Sequence, residues 1–226
     1  RSHWTVVCML AAFVLQLAFL GLRGEARGAC PLGDHGEKLA FLAWSLVLFY
    51  LLVGPTYRLS LLGLFTAPVV VIFQLLALAP GMMTNDPEHV AEVNAWGEAH
   101  SAFSVLSFGA LALAVVAGMM FLALNRLLKE HHLSTGLFKV LPPVRTLSVS
   151  VVRLTLLGVI ILSVGMVSGL LMEGGGLNAH LVAALIVWLG YFALLVIHYT
   201  RGMTPRRFSL GVIVLFVFSL IVFSLV

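Results

Sequence analysis

Seven long apolar segments, separated by short polar stretches, dominate the pattern of the chain. Each approaches the ~20 apolar residues that an α-helix needs to cross the hydrocarbon core of a bilayer. They predict seven membrane-spanning helices over residues 4–22, 39–53, 59–79, 100–124, 147–172, 180–199 and 208–226. The second segment is short and is expected to extend back through 36–38. Because lipid offers no partner to unpaired backbone groups, and no segment alternates like a barrel strand, helices are the expected structure.

The composition places the whole chain in the membrane. Hydrophobic residues make up 61% of the sequence and charged residues only 10%, a balance that excludes a water-soluble protein of this length. The fold class is therefore an all-α polytopic bundle, with 1–226 as a single integral membrane domain. The chain starts at Arg1 and not at Met, so the prediction allows for one further helix ahead of it. The formal charge of +4 does not indicate nucleic acid, since excess Lys and Arg in membrane proteins marks cytoplasmic loops.

The charges divide unequally when successive segments alternate sides. One side receives ten basic residues and the acid Glu130; the basic ones are Arg1, Arg58, Arg126, Lys129, Lys139, Arg145, Arg153, Arg201, Arg206 and Arg207. The other side receives Arg23, Arg27 and Lys38 with eight acids: Glu25, Asp34, Glu37, Asp86, Glu88, Glu92, Glu98 and Glu173. The positive-inside rule makes the first side cytoplasmic. We expect a bacterial-type inner membrane, with His100, His180 and the C-terminus on the extracytoplasmic side.

His100 and His180 each begin an apolar segment on that same side. Neutral imidazole is a good ligand for haem iron, and two imidazoles at one depth on different helices can hold one haem from opposite faces. The alternative is that each histidine only marks a helix entry at the polar interface. Trp96 lies four residues before His100 and shares its helical face if that helix starts earlier. Its ring would then pack at a haem edge or belong to the interfacial tryptophan belt.

His180 and His198 are eighteen residues apart, which is five helical turns and ~27 Å along one face. This spacing suits two haem positions or a path across the membrane. The alternative is that His198 simply ends a helix at the cytoplasmic interface. His131 and His132 are the other cytoplasmic-side imidazoles that could partner His198, and their polar loop favours solvation.

Arg153 lies about two turns inside the fifth segment, where an unpaired charge is costly. It should snorkel to the headgroups, contact the loop backbone near 141–143, or bind a lipid phosphate or a haem carboxylate. Further along the same segment, the small residues of 165–169 predict close helix packing without a chemical role. A short surface helix is expected from Asp86 through Val93 and Trp96.

Other chemistry is weakly represented in the sequence. Cys8 and Cys30 lack CxxC or CxxCH spacing, which gives no sign of thiol exchange or covalent haem attachment. No nucleophile–base pair, HExxH or phosphate-binding loop is present, and the acids are expected to be confined to loops. An enzymatic activity is therefore not expected.

Four stretches occur in an order found in one family of membrane proteins. They are 30–45 with Cys30, Pro31 and Trp44; Trp96 and His100 spaced as Trp-x-x-x-His; 141–169 with Pro142, Pro143 and Arg153; and His180 followed by Trp188 and Tyr191. These stretches are distributed along most of the chain. In these stretches the chain resembles the cytochrome c assembly superfamily, the group containing CcsA/ResC, CcmC and the smaller HemX/YpjD-like proteins.

The resemblance implies haem handling at the outer membrane face, with His100 as one axial ligand. Two features depart from the haem ligases of that superfamily. The ligases carry a tryptophan-rich WGxWWxWD loop where this chain has only 173–179, and a second outer histidine after the last span, whereas no histidine follows His198 here. We therefore expect a HemX/YpjD-like role without attachment of haem to apocytochrome, in which His180 replaces the missing ligand.

The sequence thus predicts a haem-binding protein of cytochrome c or haem biogenesis, with one haem b between His100 and His180. Its expected partners are haem, the lipid bilayer and other membrane assembly or respiratory proteins. Two alternatives stay open. One is a b-type cytochrome subunit for electron transfer, motivated by His180 and His198 on one face. The other is a scaffold without haem, held together by its small-residue faces.

Overall fold

The computed structural model describes residues 2–54, 60–84, 89–90, 92–129, 144–172 and 179–225. Within these ranges the protein forms seven α-helices and no strand. They are α1 Ser2–Arg27, α2 His35–Val53, α3 Ser60–Ala77, α4 Ala95–Lys129, α5 Val144–Leu171, α6 Ala179–Arg201 and α7 Pro205–Leu225. The all-α bundle of seven helices predicted from the hydrophobic pattern is confirmed.

Six of the helices are long and apolar enough to cross a bilayer, and α3 contributes a shorter apolar stretch, Leu62–Ala77. These counts refer to the described ranges. The chain is accordingly a multi-pass membrane protein. Pro68 lies inside α3, where a proline is expected to kink the helix.

The helix ends differ from the hydrophobic boundaries because polar caps set them. α2 begins directly after Asp34, whose carboxylate accepts a hydrogen bond of 2.7 Å from the backbone N–H of Glu37. α4 begins five residues before His100, where the Asn94 side chain accepts hydrogen bonds from the backbone N–H groups of the next turn. Residues 89–90 and 92–94 are not helical. The expected surface helix is therefore wrong over those residues, and 85–88 lie outside the described part.

α4 is the central helix of the bundle. It packs along α5 over most of its length and also contacts α2, α3 and α7, whereas α1 lies outside against α2 and α3. Glycines let α4 and α5 approach closely: Gly158 faces Leu111, Gly165 faces Ser104, and Gly169 faces His100. This order shows that the two helices run antiparallel.

The helix ends collect into two groups, which we call the His100 end and the Arg153 end. At the His100 end, the last turn of α1 meets the first turn of α2, and the Cys30 loop meets the first turn of α4. At the Arg153 end, the first turns of α5 and α7 meet the last turn of α6 around one cavity. Every helix therefore runs opposite to the next one in the chain, as the alternating sides required.

A buried ion-pair network joins α1 to α2 at the His100 end. The Arg23 guanidinium donates to Glu37 at 2.9 Å, to Asp34 at 3.2 Å and to the carbonyl oxygen of Thr84 at 2.7 Å. Glu37 is fully buried in the first turn of α2, so the expectation that acids are confined to loops is wrong. Burial alone would raise the pKa of Asp34, but hydrogen bonds from Glu37 and Thr84 together with Arg23 lower it below its ordinary value.

Candidate functional site

The His100 side chain is fixed by a backbone group of the neighbouring helix. Its Nδ1 atom lies 2.7 Å from the carbonyl oxygen of Gly165, and the residue is partly buried between α4 and α5. A carbonyl oxygen can only accept a hydrogen bond, so Nδ1 must carry the proton. In the neutral ring the other nitrogen, Nε2, then carries the basic lone pair. The contact therefore sets both the tautomer and the ring direction of His100.

The small-residue face of α5 is shaped around this imidazole. A Cβ atom on Gly169 would lie 2.7 Å from His100 Nδ1, and one on Gly165 would lie 3.3 Å from the backbone nitrogen of Ser104. The close packing predicted for 165–169 is confirmed. Its interpretation as packing without a chemical role was incomplete, because the Gly165 carbonyl also holds the ring. Sequence alone could not show this, since the two residues are 65 positions apart.

The structure places His180 at the same end of the bundle as His100. His180 lies in the first turn of α6, and its side chain is outside the described part. Trp188 Nε1 donates to Ser163 Oγ at 2.8 Å, which fixes the register of α6 on α5. Counting back along α6 puts the His180 backbone ~12 Å nearer that end, near the level of Leu171. Because His100 faces Gly165 and Gly169, the two histidine backbones differ in depth by roughly 3–9 Å.

Trp96 lies in the first turn of α4 and is 50% exposed. The helix begins before His100, which is the condition for the two residues to share a face. Whether the ring flanks a cofactor stays a prediction.

The other predicted site residues are at the opposite end. Arg153 and His198 line one cavity of about 390 Å³ between α5, α6 and α7. The structure therefore divides the predicted set in two: His100, His180 and Trp96 at one end, Arg153 and His198 at the other. His131, His132 and the loop backbone near 141–143, which Arg153 was expected to contact, fall in 130–143, outside the described residues.

The His100 end also has a polar cavity, which was not anticipated from the sequence. It has a volume of about 300 Å³ and lies between the α1–α2 loop and the start of α4. Both Glu98 carboxylate oxygens accept from the backbone N–H of Cys30, at 2.9 and 3.1 Å. The acid in the first turn of α4 was a visible signal, but its partner is 68 positions away.

Cys30 in this cavity is expected to react slowly with iodoacetamide at neutral pH. Burial, then the charges of Glu98 and Glu37, raise the pKa of the thiol from 9.0 to about 11 against the opposing effect of Arg27. At a pH well below both values, that change lowers the reactive thiolate fraction roughly 100-fold. Alkylation rates of a Cys8→Ser variant across pH would measure it.

Glu98→Gln removes one charge that raises this pKa, so it should move the onset of Cys30 alkylation to lower pH. The denatured protein provides the control, because there Cys30 should react with the ordinary pH profile. An onset near pH 9 in the folded protein would contradict the prediction.

Comparison with known proteins identifies the family. The cytochrome C assembly protein family matches residues 32–226, which include α2 to α7. This chain belongs to that family. Proteins named cytochrome c biogenesis protein CcsA are among its relatives. The one from Crocosphaera subtropica is 31% identical over 118 residues, and the one from Trichormus variabilis is 32% identical over 110 residues.

Each match covers only part of this chain and only part of the relative. The Crocosphaera match covers 51% of this chain and 35% of that protein, and the Trichormus match covers 47% and 31%. A third relative, CcsA of Pyropia yezoensis, is 31% identical over 143 residues, covering 60% of this chain and 44% of that protein. The chain thus matches less than half the length of these family members.

Proposed function

We propose that this chain binds haem during cytochrome c biogenesis, with His100 Nε2 as an axial ligand. The hydrogen bond of His100 Nδ1 to the Gly165 carbonyl carries the proposal. Histidines that bind a metal through one nitrogen almost always donate the other N–H to a carboxylate or backbone carbonyl, which fixes the ring and raises its basicity. His100 has that arrangement, and the names of its relatives specify cytochrome c biogenesis.

His180 is the proposed second ligand. It begins α6 at the His100 end, and α4 and α6 both pack on α5 and α7 while having at most marginal contact with each other. Two imidazoles on one iron need opposed nitrogens ~4 Å apart, given metal–nitrogen distances near 2 Å. Helices in direct contact, at 8–10 Å between axes, leave no room for a porphyrin between them. The separation of α4 from α6 supports this ligand pair.

The group would be a b-type haem, held without covalent bonds, because neither cysteine has CxxCH spacing. When bound, haem supplies an iron that accepts axial ligands and changes oxidation state. The protein's part is to hold the His100 tautomer through Gly165 and to present Nε2 at one fixed depth. Trp96 would cover an edge of the group. We infer a handling role of the HemX/YpjD type, with other membrane assembly or respiratory proteins as partners.

The distribution of charge supports an orientation with the His100 end extracytoplasmic in a bacterial-type inner membrane. Five arginines gather at the Arg153 end: Arg145, Arg153, Arg201, Arg206 and Arg207. Asp34, Glu37 and Glu98 lie at the His100 end. The positive-inside rule then assigns the Arg153 end to the cytoplasm.

His100→Ala is expected to abolish or strongly weaken the Soret band of the purified protein, or its uptake of added haemin. The physical reason is the loss of one of the two proposed iron-binding nitrogens. His180→Ala should weaken the same band. The measurement is an absorbance spectrum of the oxidised and dithionite-reduced protein, with haem quantified per chain.

The matched control is His35→Ala, which removes an exposed imidazole from the first turn of α2 at the same end. It should leave the spectrum unchanged. A colourless protein that takes up no haemin would overturn the proposal, as would equal losses in His100→Ala and His35→Ala. One haem per chain agrees with a handling role, whereas two reducible haems would favour the electron-transfer alternative.

A further inference from the structure

The cavity at the Arg153 end has the features of a site for an anion. It encloses about 390 Å³ between the first turns of α5 and α7 and the last turn of α6. Its polar side chains come from two arginines, one histidine and two hydroxyl residues: Arg145, Arg153, His198, Ser148 and Tyr199. No carboxylate is among the described residues that line it.

The two arginines line the same cavity at different depths in the membrane. Arg145 and Arg153 are eight residues apart on one face of α5, which separates their Cα atoms by ~12 Å along the axis. Side chains of a helix lean toward its N-terminus, so the Arg153 stem runs toward Arg145 and the cavity mouth. The Arg153 side chain therefore extends along the cavity toward the level of Arg145.

The backbone adds to this positive potential. α5 begins at Val144 and α7 begins at Pro205, so two helix N-termini border the cavity. The first turn of a helix carries partial positive charge on its backbone N–H groups and favours an anion. His198 also lines the cavity, and its Nδ1 atom is buried without a hydrogen-bond partner among the described residues.

Part of the cavity lining is apolar. Val149, Val152 and Phe208 form it, and the Phe208 ring lies 4.7 Å from the His198 ring, centroid to centroid. A free phosphate ion would leave this part unused. An anion attached to a hydrocarbon chain would use both parts.

We propose that this cavity binds the phosphate of an anionic phospholipid, with an acyl chain along Val149, Val152 and Phe208. Arg145 and Arg153 donate to the phosphate oxygens, since charge-assisted hydrogen bonds to phosphate are among the strongest available to arginine. Anionic lipids are enriched in the cytoplasmic leaflet, where the proposed orientation puts this end. The site is at the opposite end from His100, so it stands or falls independently of the proposed haem ligation.

Binding of phosphatidylglycerol to the full-length protein in detergent tests the proposal. Native mass spectrometry gives the affinity, and thermal unfolding gives the stabilisation at increasing lipid concentration. We expect phosphatidylglycerol to bind more tightly than phosphatidylcholine. Arg145→Gln and Arg153→Gln, made separately, should each weaken it roughly tenfold, because each removes a charge-assisted contact.

Arg201→Gln is the matched control, since it removes an exposed arginine from the last turn of α6 that does not line the cavity. It should keep the affinity for phosphatidylglycerol. Arg145 is exposed at the start of α5, so its substitution tests the site even if Arg153→Gln fails to fold. Equal binding of the two lipids, or equal losses in all three variants, would overturn the proposal.

Two further measurements distinguish a phospholipid from other anions that could bind in the cavity. Competition by millimolar inorganic phosphate would show a site for the free ion, and displacement of the lipid by haemin would show a site for a haem carboxylate. Either result would overturn the assignment to a phospholipid. A lipid preference unchanged by phosphate and haemin, and unchanged in His100→Ala, is the supporting result.

Discussion

Glu37→Ala is expected to lower the free energy of unfolding by about 3–5 kcal/mol, the range for removing one partner of a buried ion pair. Glu37 is fully buried, lies 2.8 Å from the Arg23 guanidinium and also faces Arg27 at 3.7 Å. It further accepts the backbone N–H of Gly33 at 2.8 Å. The substitution would leave two partly buried guanidinium groups without this carboxylate and a backbone donor unsatisfied.

The measurement is thermal unfolding of the purified protein in detergent, followed by circular dichroism. Glu25→Ala is the matched control, because Glu25 is an exposed acid in the last turns of α1. It should shift the midpoint little. Glu37→Gln keeps the shape and one acceptor oxygen, so it should fall between the control and Glu37→Ala. A midpoint for Glu37→Ala equal to that of the control would show that the network contributes nothing.

Gly169→Ala is expected to weaken haem binding roughly 10- to 100-fold, the range found when the partner that orients a metal ligand is disturbed. The added Cβ would lie 2.7 Å from His100 Nδ1 and 3.0 Å from Cε1, closer than real Cβ atoms come to another group. The ring must then turn away, which breaks its hydrogen bond to the Gly165 carbonyl. The protein should still fold, because the clash is with a side chain that can move.

Haemin titration followed at the Soret band measures the affinity. Gly21→Ala is the control, since a Cβ there meets nothing within 4 Å. Both substitutions add one methyl group to a helical glycine, so a helix-propensity effect would appear in both. Unchanged haemin affinity in Gly169→Ala would contradict a role of the His100 orientation in ligation.

The sequence predicted the seven helices because each one corresponds to a continuous run of apolar residues long enough to span lipid. The apolar runs did not predict the helix ends correctly where a helix continues into polar residues. For example, α1 continues beyond its hydrophobic part to Arg27 and includes the charged residues Arg23, Glu25 and Arg27. The start of α4 was misplaced because the Asn94 cap, and not hydropathy, sets it.

The candidate site residues were chosen by residue type, and their supporting contacts were missed. His100 stood out because an imidazole at a membrane surface is unusual. Its partner, the Gly165 carbonyl, is a backbone group with no signature in the sequence. Glu37 was expected in a loop with the other acids. Its burial depends on Arg23, 14 positions earlier, which only the packing of α1 on α2 reveals.

The hydrogen bond between His100 and Gly165 also has a consequence in time. The carbonyl is made 65 residues after the imidazole. At synthesis rates of roughly 5–20 residues per second, the gap lasts roughly 3–13 s. Over that interval α4 can be in the membrane before the carbonyl group that fixes the tautomer of its imidazole has been made. The oriented histidine therefore exists only once α5 has been made, and the proposed haem ligation could begin only then.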